Sequence, residues 1–175
     1  VERDAGKAKT WYQMAAEQGN ASAMHNLAVL FALGASGPKD NDSAALWFTK
    51  AAELGVKDSQ YNLGILAAQG LGVKQSLEES YKWFALAAKA GDKDAASKRD
   101  EIANAMRPEQ LQKARAASEL WKAKTPVAES NSVEIPDAWN SDSSETASTP
   151  PVGADMVKAI RNIQIILNQN GYDAG

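Results

Sequence analysis

Few residues in this chain could do chemistry, and their types suit holding a partner better than transforming one. Its 175 residues include one histidine, His25, and no cysteine, which removes disulfides, thiolate metal sites and cysteine nucleophiles together. No serine stands in a Gly-x-Ser-x-Gly elbow, the turn that exposes a hydrolase nucleophile. A metal site needs several clustered ligands, and one imidazole among scattered carboxylates does not supply them. Neither cofactor nor metal is expected, and the chain reads as non-enzymatic. Two asparagines carry a different message. Asn26 and Asn62 lie 36 residues apart, and each is followed by a leucine. An amide donates and accepts at once, so a row of them can clamp the backbone of an extended peptide, or can tie neighbouring loops together. His25 and Tyr61 precede the two asparagines, and Lys98 and Arg99 follow Asn62 and Leu63 at the same step. The candidate site is therefore a peptide groove of His25, Asn26, Tyr61, Asn62, Lys98 and Arg99. In it His25 is expected as an exposed groove residue, and the two cations would favour an acidic peptide.

The 36-residue step belongs to a repeat that must position these side chains. WYQMAAEQG (Trp11 to Gly19), WFTKAAELG (Trp47 to Gly55) and WFALAAKAG (Trp83 to Gly91) are successive copies of one pattern. A period in this range means stacked supersecondary units. Within a copy, Trp47, Ala51, Ala52 and Gly55 fall at i, i+4, i+5 and i+8. This spacing puts an aromatic and an alanine pair along one helical stripe that ends in a glycine able to take the left-handed cap conformation. The stripe reads as a packing face and its aromatics as core, so Trp47→Ala is expected to cost about 3–5 kcal/mol. Between the copies, AMHNLAVLFALG (Ala23 to Gly34) aligns with QYNLGILAAQG (Gln60 to Gly70). Each unit is thus a helical hairpin, helix A with the Asn-Leu motif and helix B with the Trp and the alanine pair, joined by turns of Gly, Asn, Asp, Pro and Lys. Gly64 sits inside a helix at a cost of roughly 1 kcal/mol against Ala. The equivalent Ala28 suggests that a small residue is required where helix A meets helix B.

These letters resemble the Sel-one-like repeats, relatives of the tetratricopeptide repeats, whose consensus is similar to A-x-x-x-L-G-x-x-Y-x-x-G, a turn, and A-x-x-W-Y-x-x-A-A-x-x-G. Residues 21 to 91 match it, with Phe31 and Ala67 where that family often has Tyr. The resemblance implies an all-α fold, a right-handed α-solenoid of stacked helical hairpins whose A helices line a concave peptide-binding side. The third helix A, Asp94 to Met106, departs from the motif at Lys98 and Arg99 and reads as an end unit. A cap helix follows. Pro108 and Glu109 mark its start, Leu111, Ala114, Ala117, Leu120 and Trp121 form its apolar face, and Trp121 comes 38 residues after Trp83, out of step with the repeat.

Residues 1–124 are therefore assigned to the solenoid with its cap, 125–154 to a linker, and 155–175 to a further segment. The linker holds five acidic residues, no Lys or Arg, and many Ser, Thr and Pro, a composition that buries little apolar surface by itself. Ile135 and Trp139 are its candidate anchors should it dock on the solenoid, which would make the linker a partner of its own groove. The last segment reads as a helix from Asp155 to Gln169. MVKAIRNIQIILNQNGYDAG resembles the opening of a small peptidoglycan-binding domain, through Val157 or Ile160, Ile163, Gln164, Leu167, Gly171, Tyr172 and Gly175. The remainder of that domain is missing, so no folded glycan site is expected here, and peptidoglycan would be a partner only through a complete domain.

The formal net charge of −3 leaves no nucleic-acid footprint, and the longest apolar run, Leu27 to Leu33, is too short to span a bilayer. Module order resembles the periplasmic part of the PodJ family of polar organelle development scaffolds. The expected function is a non-catalytic protein-interaction scaffold of the bacterial cell envelope, periplasmic and part of a membrane-anchored polar localization factor. Direct binding of peptidoglycan or muropeptides, and a cytoplasmic regulatory adaptor, remain as alternatives.

Overall fold

Helix signals in the sequence recur at fixed places, and the helices follow them. The computed structural model describes residues 5–125, which form seven helices: α1 (Ala5–Glu17), α2 (Ala21–Leu33), α3 (Asn41–Glu53), α4 (Lys57–Gln69), α5 (Leu77–Lys89), α6 (Lys93–Ala105) and α7 (Pro108–Leu120). No strand occurs among the described residues. Ile135, Trp139 and the segment 155–175 lie outside them, as does the linker beyond Thr125.

Short polar side chains start the helices by taking up backbone donors that have no partner within the helix. Asn20 accepts from the Ala23 N–H at 2.9 Å, Asp40 from Ser43 at 2.9 Å, Ser76 from Glu79 at 3.2 Å and Asp92 from Ala95 at 2.9 Å. Pro108 opens α7, where its missing N–H costs nothing. The glycines closing the Trp-Ala-Ala pattern do what their position requires. Gly55 takes φ +87°, and the next residue, Val56, donates its N–H back to the Ala51 carbonyl at 3.1 Å, a six-to-one closure that turns the chain towards the next helix.

Packing proceeds along the chain as a relay. Ala16, Ala23, Met24, Leu27 and Ala51 join α1, α2 and α3. Ala28, Ala44, Ala45, Phe48 and Leu66 join α2, α3 and α4. Ala52, Leu63, Trp83 and Leu86 carry the contact to α5, and Tyr61, Phe84, Ala87 and Ala95 carry it to α6. Each helix therefore packs mainly on its neighbours in sequence, with α7 resting on α5. This is an α-solenoid of helical hairpins.

The requirement for a small residue at position 64 is explained by a ring. A Cβ on Gly64 would stand 2.9 Å from the nearest atoms of Phe84, and the Gly64 carbonyl accepts a 2.8 Å hydrogen bond from the buried Ser80 hydroxyl. Close approach of α4 to α5 thus offsets the helix-propensity cost of the glycine.

The expectation that every repeat tryptophan is core needs correction. Trp11 is 69% exposed, Trp47 is half-buried and only Trp83 is buried. The aromatic one position later fills the gap between helices: Phe48 and Phe84 are 3% and 1% exposed. At i+1 a side chain is turned about 100° around the helix, so the Trp lies at the margin of the face whose centre the Phe occupies. Lys50 lies over the open face of Trp47 at 4.2 Å from the ring centroid. The cap's apolar face is likewise only partly used, since Ala114 is buried but Leu120 is 80% exposed. Trp121, expected on that face, is not part of it, because it follows the end of α7 in an extended conformation.

Candidate functional site

The A helices α2, α4 and α6 position the expected groove residues, and each helix has more than one packed side. α2 meets both α1 and α3, and α4 meets both α3 and α5. A polar residue on such a helix is not automatically at the surface. His25 and Tyr61, expected in the groove, are each only 6% exposed. His25 Nδ1 shares a 2.8 Å hydrogen bond with the Ser59 hydroxyl, its ring lies 5.6 Å from that of Phe48, and its Nε2 is buried without a hydrogen-bond partner. Burial pushes its pKa down, and the nearby Asp58 carboxylate only partly opposes this. His25 is a packing residue linking α2 to α4.

Tyr61 stacks edge-on against Phe84 at 5.4 Å between centroids. Burial and the surrounding Asp94, Asp92 and Glu101 carboxylates push its hydroxyl up to about 12, so the phenol stays neutral. It belongs to the α4–α5–α6 core, not to a groove.

Asn26 and Asn62 are half-buried, and neither side chain is hydrogen-bonded among the described residues. Their amides keep both donor and acceptor capacity. Lys98 and Arg99 do not extend that row with free positive charge. The Lys98 ammonium lies 2.8 Å from Glu101 and the Arg99 guanidinium 2.7 Å from Asp100, so local carboxylates balance both, and the expected preference for an acidic peptide loses its basis. Of the six residues, the structure leaves the two asparagines as accessible, unengaged recognition groups.

Three buried polar residues escaped sequence reasoning: Ser59 and Ser80 at 0% and Gln60 at 3% exposure. Ser59 meets His25, Ser80 meets Gly64, and the Gln60 amide donates to the Ala52 carbonyl at 3.2 Å. Gln60 and Ser80 tie successive helices together, and Ser59 ties α4 to α2. The signal for His25 was the composition of α2 itself, ASAMHNLAVLFAL, apolar nearly all round and so buried on more than one face. Among the described residues no group of His, Asp or Glu is placed to hold a metal ion, and no helix is long and apolar enough to cross a membrane.

Against known families, the Sel1 repeat model matches residues 1–20, 21–56 and 57–92. The chain belongs to the Sel1 repeat family. The Sel1 boundaries at 21 and 57 coincide with the starts of α2 and α4, while α6 and α7 lie beyond the match, in keeping with their departure from the motif. Among solved structures the chain is similar to c5321, a protective antigen present in uropathogenic Escherichia coli strains with an SLR fold. The identity is 27% and the TM-score 0.64, over 82% of this chain and 30% of that one. It is also similar to a Sel1 repeat protein from Oxalobacter formigenes, at 30% identity and a TM-score of 0.51, over 53% of this chain and 69% of that one. The chain spans less than a third of the length of the first of these. No curated protein matches. Sel1 repeats generally mediate protein–protein interaction, and their fold is typically a non-catalytic scaffold.

Proposed function

We propose that the chain is a peptide-binding scaffold of the bacterial cell envelope, the periplasmic part of a polar localization factor, that grips extended segments of other proteins along its A helices. The observation that carries the binding mode is the pair Asn26 and Asn62, one Sel1 unit apart, half-buried and with side-chain amides not otherwise engaged. Two such amides at a fixed separation suit the repeating donors and acceptors of a peptide backbone. The envelope location draws support from the order of modules in the sequence, with the acidic linker and a peptidoglycan-binding-like opening after the repeats.

The test is selection of peptides from a displayed library on the intact chain, followed by affinity measurement on Asn26→Ala/Asn62→Ala. Each lost hydrogen bond contributes about 0.5–1.5 kcal/mol, so a weakening of roughly 5- to 100-fold is expected, with the helical signal and melting temperature unchanged. Equal affinity in the double variant would remove the clamp. Location is tested separately, by whether a phosphatase fused to the parent protein next to this region is active, as it is only when exported.

A further inference from the structure

The segment after α7 runs back across the solenoid in a way that displays a second recognition surface. Trp121 leaves the helix in an extended conformation, φ −68° and ψ 138°. It packs against the cluster of Ala52, Leu63, Trp83 and Leu86, with its ring edge-on to that of Trp83 at 6.1 Å. Three residues later Lys124 reaches the end of α3, a span of about 10 Å for an extended chain. There its backbone N–H donates to the Glu53 carbonyl at 2.7 Å, and its ammonium lies 2.5 Å from the Glu53 carboxylate. Between the two anchors the chain passes Gly55, where an added Cβ would come within 3.5 Å of Ala123 Cβ. The surface thus has an aromatic pocket at one end. At the other it has a helix C-terminus, where the Glu53 carbonyl and carboxylate together favour a backbone donor and a cation.

We propose that this surface is an exchangeable docking site for an extended segment of a partner protein carrying an aromatic residue followed three positions later by lysine, and that residues 121–124 occupy it in the free chain. It draws on α3, α4 and α5 and uses neither the Asn26 nor the Asn62 side chain, so it stands or falls independently of that reading. The recognition elements are ones any chain can present: a ring for the pocket, one backbone N–H and one ammonium. Occupancy by the chain's own segment is favoured because tethering gives an effective concentration that is roughly millimolar. A partner must therefore outcompete a weak but permanently present ligand. The anchors differ in strength, for the Lys124 and Glu53 side chains are 66% and 35% exposed. The lysine end is the one that opens.

A labelled synthetic peptide of residues 117–125 provides the probe, and anisotropy the readout, on the full 175-residue chain. The expected result is at least tenfold tighter binding to Trp121→Ala/Lys124→Ala than to the unaltered chain. Glu53→Lys added to that variant should abolish the gain, and a peptide with glutamate in place of its Lys124-equivalent should restore it. Asn26→Ala/Asn62→Ala should change none of these values. Should the double variant lose its helical signal, Lys124→Glu alone, a change at an exposed side chain, must show the same gain. A folded variant that binds no peptide, or an unaltered chain that binds it equally well, overturns the proposal. So does a concentration-dependent dimer of the unaltered chain that disappears with Trp121→Ala, since the occupant would then be a second copy.

Discussion

His25 concentrates the difference between a residue's type and its setting. The same imidazole that would serve as an exposed recognition group is instead sealed between α2, α3 and α4 with one nitrogen lacking any partner. Burial holds its folded-state pKa below the ordinary value of about 6.5. The unfolded chain accordingly binds the proton first as pH falls, and stability present above pH 6.5 is lost as pH descends through the folded-state value. His25 is the only histidine in the chain, so the melting temperature should fall between pH 7.5 and pH 5.5, and His25→Gln should flatten that dependence. The Asp40 carboxylate, held below its usual range chiefly by hydrogen bonds from the Ser43 hydroxyl and N–H, contributes its own loss only at more acidic pH. An unchanged pH slope in His25→Gln would show that the imidazole is not the sensitive group.

Among the elements, the B helices α1, α3 and α5 repeat a sequence but not an environment. Trp11, Trp47 and Trp83 pass from exposed to half-buried to buried, and the substitution costs should follow that order. Trp83→Ala removes a ring packed against Leu63, Leu86 and Trp121 and should cost about 3–5 kcal/mol, the range for emptying a core aromatic site. Trp47→Ala should cost roughly 1–3 kcal/mol, below the figure its place in the repeat suggests, and Trp11→Ala should stay within about 0.5 kcal/mol. Urea denaturation of the three variants checks the ranking, and equal costs would contradict it. The helices themselves were legible, because the 36-residue period, the cap residues and the glycine stops are all local signals. Gly64 was legible for the same reason, as a small residue in a place where helix propensity argues against it. The exposure of Trp11 and the half-burial of Trp47 were not, since the three copies carry the same letters and differ in what packs on them, as Trp121 packs on Trp83 alone.

For the solenoid as a whole, order along the chain is order in space, and the fold could be read almost entirely from periodicity. What periodicity cannot supply is the circumferential position of each side chain on helices packed on more than one side. His25 and Tyr61 were assigned to a groove because they adjoin Asn26 and Asn62 in sequence. Adjacent residues on a helix point about 100° apart, so they face the neighbouring helices while the asparagines do not. Lys98 and Arg99 raised a different difficulty, because the carboxylates of Asp100 and Glu101 that balance them carry no repeat signature.

The return of Lys124 to Glu53 also sets a timetable. It joins residues 71 apart in sequence, whereas the helix pairs that build the stack are adjacent in the chain or, for α7 on α5, one helix apart. Contacts between nearby segments close small loops and form early, and a contact across a long loop waits until the intervening helices have stacked. The seven helices can thus assemble in order as the chain emerges, and the clasp can close only after the last of them is in place. Lys124→Ala should leave the refolding rate unchanged and accelerate unfolding, as expected of an interaction absent from the transition state. Stopped-flow chevrons would reveal a slowed folding limb if the clasp formed early instead.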